Sequence, residues 1–134
     1  MTQILAFIVT YMGFLWSDAH FKIVGSEVTL VNGGDALLVL ESPTVRLRFV
    51  RDRGQLFLDF QPAVEQGDEW YSVDLVRRLL LGKREYSAVL DESYAQFLAS
   101  HLREVEERFD ESRWEMTRKD LKELKVRRAK EMFG

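Results

Sequence analysis

Residues able to carry catalysis are few in this chain. Histidine occurs twice, at His20 and His101, and cysteine is absent, which excludes thiol nucleophiles, thiolate zinc sites and disulfides together. His20 has no second histidine or paired acid beside it at metal-ligand spacing. His101 falls near an apolar helical stripe, where a half-buried packing histidine is the expected state. Carboxylates are plentiful, and Asp59 with Asp68 or Glu69 is the pair that could do acid–base work; the structural alternative is an ion pair from Asp59 to Arg46 beside a solvated loop. Gly33 and Gly34 suit a turn and match no phosphate-binding loop. The residue types therefore predict no catalytic, cofactor or metal site and no enzyme, with a small hydrolase using paired carboxylates as a remaining alternative.

Two groups of side chains are better suited to binding. The stretch VRLRFVRDRGQLFLDF, residues 45–60, places Arg46, Arg48, Arg51 and Arg53 among apolar residues, and Phe57 could stack on a base. Residues 113–134 add a basic end, with 8 Lys+Arg against 4 Asp+Glu, but residues 1–112 carry 11 against 18, and an acidic body repels phosphate. Nucleic-acid binding through Arg46, Arg48 and Phe57 is thus the secondary reading. The loop QPAVEQGDEWY sets Trp70 and Tyr71 beside Glu65, Asp68 and Glu69, and EVEERFDE adds Glu104, Glu107 and Glu111. Aromatics rimmed by charge are typical of protein contacts, so these eight residues form the expected partner-binding set. The competing reading of Trp70 is a plug over the end of the sheet.

These groups depend on the elements that position them. Ile4, Ile8, Tyr11, Met12 and Leu15 share one helical stripe, which predicts a helix over 3–15. FKIVGSEVTLV and ALLVLE read as two strands joined through NGGD at 32–35. For residues 45–60, a four-residue loop Arg51-Asp52-Arg53-Gly54 pairs Phe49 with Leu56, Leu47 with Leu58 and Val45 with Phe60. It leaves Arg48 opposite Phe57 and Arg46 opposite Asp59. If the two earlier turns are also even-numbered, Ala36, Leu38 and Leu40 join the core face. The arginine face then carries its own apolar strip of Val28, Leu30, Leu37, Val39 and Phe57, either covered or free to bind.

Downstream the apolar period becomes helical. Ser72 is the expected N-cap and Gly82 the expected C′ residue of one helix; a second runs over 91–109 with Tyr94, Phe97, Leu98, Leu102, Val105 and Phe109 inward. SRWE at 112–115 matches a capping box and starts a third that reaches about 132. Its stripe of Trp114, Leu121 and Leu124 is thin, so it packs weakly, on its own subunit or in a homodimer. The fold class is α+β: a four-stranded antiparallel β-meander with an N-terminal helix and three C-terminal helices.

At 134 residues, 46% apolar and 31% charged, the chain has the size and composition of one folded domain spanning 1–134. Its longest apolar run, Ile4 to Trp16, is 13 residues, too short to cross a bilayer, and MTQ supplies no basic start for a secretory signal. The expectation is a cytoplasmic protein without a membrane partner.

In this order of elements, Asp52, Arg53 and Gly54 in the turn, then Trp70, Tyr71, Asp74, Leu75, Leu79, Leu80 and Gly82, the chain resembles bacterial immunity-type proteins of polymorphic toxin systems. The resemblance covers the middle third. It implies a stoichiometric inhibitor that binds and neutralises a cognate toxin, and an acidic surface would speed its encounter with a basic nuclease. It does not identify the toxin or the contact residues.

Overall fold

The computed structural model describes residues 1–17, 21–64 and 68–133. Helices α1 (Thr2–Tyr11) and α2 (Phe14–Ser17) precede strands β1 (Lys22–Val28), β2 (Ala36–Glu41), β3 (Val45–Asp52), β4 (Gln55–Pro62) and β5 (Tyr71–Ser72), which α3 (Val73–Leu81), α4 (Glu92–Phe109) and α5 (Trp114–Phe133) follow. The sheet is an antiparallel meander in the order β1-β2-β3-β4-β5. The α+β class and the meander match expectation. The strand count is five where four are predicted, because Tyr71 and Ser72 pair with Phe60 and Asp59 before α3 begins. The single helix expected over 3–15 is divided at Met12 and Gly13.

Strict alternation in β2, β3 and β4 buries one face: Leu38, Leu40, Leu47, Phe49, Leu58 and Phe60 lie inside with Ile4, Ile8, Val76, Leu98 and Phe109 from the helices. That face is the expected one. The register of β3 and β4 is not. Asp52 opposes Gln55, Phe49 opposes Leu58, Leu47 opposes Phe60, Arg48 opposes Asp59 and Arg46 opposes Gln61. The turn is therefore the two-residue Arg53-Gly54, both with positive φ (53° and 83°), as in a tight hairpin whose twist matches that of its strands. Shortening the loop from four residues to two shifts every partner by two residues and keeps each side chain on its face, since both loops are even. A Cβ at position 54 has room but must adopt φ +83°. Gly54→Ala is accordingly expected to lower the unfolding free energy by about 1 kcal/mol, read as a lower urea midpoint.

The first hairpin departs further. Val28 opposes Ala36, so its loop holds seven residues, spent on a 3-10 turn at Val31–Gly33 and on three successive positive-φ residues, Asn32, Gly33 and Gly34. Seven is odd, which moves Val28 to the helix side of the sheet. Leu30 lies outside the strand and is 95% exposed. The apolar strip on the arginine face thus contains Leu37, Val39 and Phe57, joined by Val50 opposite Leu37 and Phe57, and lacks Val28 and Leu30. The middle turn is even, with Glu41 opposite Arg46, and the Ser42 hydroxyl accepts from the amides of Thr44 and Val45.

Among the helices, Gly82 ends α3 in the left-handed region as expected, and the Asp91 side chain caps α4 by accepting from the Tyr94 amide. Ser72 holds the N-cap position of α3 as expected, with its hydroxyl turned to the Asp74 carboxylate instead of the helix amides. One expected cap is not made. Ser112 donates to Asp110 at 2.6 Å, so the 112–115 capping box is replaced by an Asp110 turn and α5 starts at Trp114. The third helix docks on its own chain. Trp114, Thr117 and Leu121 are buried, and the end of the helix is fastened by ion pairs to α3.

Candidate functional site

The two faces of the sheet differ in chemistry because alternation separates them. On the face away from the helices, Leu37, Val39, Val50 and Phe57 remain half-buried, and charges of both signs surround them. Arg46 donates to Glu41 at 2.7 Å and to the Gln61 side chain at 3.2 Å. Arg48 donates to Asp59 at 2.8 and 3.2 Å, and its guanidinium lies 4.5 Å from the centre of the Trp70 ring. The expected Arg46–Asp59 pair is thus replaced by Arg48–Asp59, a consequence of the two-residue turn. A shallow depression of about 230 Å³ lies at the turn end of this face, lined by Glu27, Leu37, Val50 and Asp52 among others.

The segment Asp68–Trp70 closes the opposite end. The Gln61 amide donates to the Glu69 carbonyl at 3.1 Å, which accounts for Gln61 being only 3% exposed in a surface row. Trp70 therefore sits on the arginine face and does not plug the core. Tyr71, expected among the partner contacts, is 1% exposed and meets Trp114 edge-on at 5.8 Å. It is a core residue, because it opens β5 opposite the inward-facing Phe60, whereas Trp70, just before the strand, lies on the arginine face. Asp68 and Glu69 are exposed, and the Glu69 carboxylate lies 3.9 and 3.7 Å from Lys122 and Lys125 of α5. Glu65 and His20 lie outside the described residues.

The structure therefore joins two groups that the sequence separates. Arg46, Arg48 and Phe57 share one face with Trp70, and each arginine is neutralised there by a carboxylate. Glu104, Glu107 and Glu111 are exposed on α4 or just past its end, on the helical side, with the sheet between them and Trp70. They form a separate acidic strip.

A third cluster escaped sequence reasoning. Arg78 of α3 holds Glu131 of α5 with two bonds of 2.7 and 3.0 Å; Arg128 donates to Asp74 and to the Ser72 hydroxyl, both at 2.9 Å. Asp74 is 5% exposed, and a cleft of about 390 Å³ opens beside it towards Arg84, Tyr86 and Met132. Every charged group of this cluster is engaged by an opposite charge, so its role is to hold α5 where apolar contact is thin. The signal in the sequence was a polar Asp74 within the buried stripe of α3, but its partner lies 54 positions away. The hydrogen bond from Arg78 holds the Glu131 carboxyl below its ordinary value of 4.5. A lowered acid stabilises the fold above its ordinary value, and that contribution is lost as pH falls below 4.5 through the folded-state value. Amide protection factors in the last turns of α5 are expected to fall over that acidic window in the native chain, and to lose that pH dependence in Glu131→Gln.

His101 is half-buried, stacked on Phe97 at 5.0 Å with Nδ1 donating to the Phe97 carbonyl at 3.0 Å, a packing role. Among the described residues no three His, Asp or Glu side chains gather as metal ligands, and no helix is long and apolar enough to cross a membrane. Compared with family models, curated proteins and solved structures, the chain shows no match.

Proposed function

We propose that this chain is a protein-binding module of the immunity type, a cytoplasmic inhibitor that holds a cognate toxin on the outer face of its sheet. One observation carries the reading: a half-exposed apolar strip, Leu37, Val39, Val50 and Phe57, is bordered by Trp70 stacked on Arg48 and by fixed, mutually neutralised ion pairs. Tryptophan and arginine held rigid beside apolar area are the usual anchors of protein interfaces, and preorganised side chains lose little entropy on binding. The acidic strip at Glu104, Glu107 and Glu111 lies too far around the molecule to share that contact and acts as a long-range attraction for a basic partner.

Nucleic-acid binding is the second reading, supported by the exposed cations of α5, Lys119, Lys125, Arg127 and Lys130. It is weakened on the sheet, where Arg46 and Arg48 are already bound by Glu41 and Asp59. Asp59, the carboxylate a hydrolase would need, is engaged by Arg48. Titration calorimetry against the product of the neighbouring gene tests the main reading, and a salt titration on random oligonucleotides tests the second. Tight one-to-one protein binding with no oligonucleotide affinity at low salt supports the inhibitor; steeply salt-dependent oligonucleotide binding without a protein complex overturns it.

A further inference from the structure

We infer that the chain pairs with a second copy of itself along β1, in the antiparallel register that sets Lys22 opposite Glu27 of the other copy. β1 is an edge strand, bonded to β2 on one side only, and edges of this kind template further pairing. Its large side chains are open: Ile23 is 55% exposed, Val24 47% and Val28 56%. Ile23 opposes Leu40 and Val28 opposes Ala36, so both point to the helix side. α1 lies on that side and begins at the β3–β4 turn, where the Gln3 side chain donates to the Gly54 carbonyl. A right-handed helix running from there against β3, with Ile4, Ile8 and Met12 towards the sheet, turns Leu5 and Val9 towards β1. Those two are 41% and 74% exposed, and residues 1–17 include no charged side chain. Edge strand and helix flank together make an uncovered apolar step.

Charge complementarity points to the occupant. Lys22 and Glu27 are exposed, and among the described residues neither makes an ion pair. Five positions apart, they would lie on opposite faces of a regular strand. The bulge between Ile23 and Gly25 places both on the outer face, with Lys22 opposite Glu41 and Glu27 opposite Leu37. A two-fold axis between Val24 and Gly25 then matches Lys22 with Glu27 twice and Ile23 with Ser26 twice, each pair on a common face. The two sheets become continuous and both helical layers lie on one side, with Ile23 of each copy beside Ser26 of the other. Lysine and bulge, which elsewhere protect an edge, here admit one register.

Sedimentation equilibrium of the full chain tests this, with a dimer of twice 15.7 kDa expected. Lys22→Glu and Glu27→Lys sit on exposed side chains, and each alone is expected to raise the dimer dissociation constant about tenfold or more. Mixing the two single variants restores both ion pairs and is expected to give a heterodimer of native affinity. Circular dichroism verifies that each variant is folded. A monomer at all concentrations overturns the inference, as does a dimer indifferent to either substitution or a mixture that fails to recover. Trp70→Ala, beside β5 at the opposite edge of the sheet, leaves this equilibrium unchanged while disturbing toxin binding, so the two proposals fail separately.

Discussion

Phe109→Ala is expected to lower the unfolding free energy by about 3–5 kcal/mol, a large share of the roughly 5–15 kcal/mol that holds a domain of this kind together. Phe109 is fully buried, and its ring lies 5.2 Å from that of Trp114 and 6.0 Å from that of Phe60. It thus joins the end of α4, the start of α5 and the centre of the core face of β4. Truncation removes the transfer free energy of the ring and leaves a cavity between elements from three parts of the chain, none of which can close it alone. α5 has little other apolar contact, so the loss falls where it is least compensated. Urea unfolding is the measurement, with the denaturant slope unchanged if the transition stays two-state. Phe133→Ala, at an 86% exposed position, is the control, with a change expected within about 0.5 kcal/mol. A loss under about 1 kcal/mol at Phe109 would show that α5 relaxes into the space and that the ion pairs to α3 dominate its docking.

Trp70→Ala is expected to weaken the proposed complex with a protein partner by about 30-fold, equivalent to roughly 2 kcal/mol for loss of an aromatic anchor. The indole offers one face to Arg48, and its removal frees that guanidinium and opens the Asp68–Trp70 segment that covers Gln61. The change should appear in the dissociation rate, because short-range packing is lost and long-range charge is untouched. Glu107→Lys on α4 should do the reverse, slowing association a few-fold with the dissociation rate unchanged, and more so at low salt. Surface plasmon resonance separates the two. Equal effects of both substitutions on dissociation would place the contact on the helical side and refute the sheet-face assignment.

Much of the architecture was legible because it is local. Alternation in ALLVLE and VRLRFVRD names the buried face without knowledge of the partner strand, and the helical spacing of Tyr94, Phe97, Leu98, Val105 and Phe109 does the same for α4. Gly82 and Asp91 mark helix ends through backbone chemistry that acts within four residues. The proposed binding face was only half legible. Arg46, Arg48 and Phe57 could be placed on one surface, but Trp70 could not be brought to it, since nothing in QPAVEQGDEWY states which way the chain turns after β4. Tyr71 departs from expectation for the same reason: it enters β5 facing the core, while Trp70, the residue before the strand, turns to the arginine face.

Within β2, β3 and β4 the inward residues follow from the sequence, because burial there keeps a period written in consecutive side chains that survives any even change in turn length. Tertiary structure alone decided who faces whom. Loop length sets register, and register depends on backbone dihedrals that Arg53 and Asn32 share with the glycines beside them, a choice governed by the twist of the strands they join. A two-residue turn exchanges Asp59 from Arg46 to Arg48. A seven-residue loop sends Val28 to the helix side, and the β1 bulge brings Lys22 and Glu27 to one face. Ion pairs between α3 and α5, separated by more than 50 positions, form only once packing has brought the two helices together.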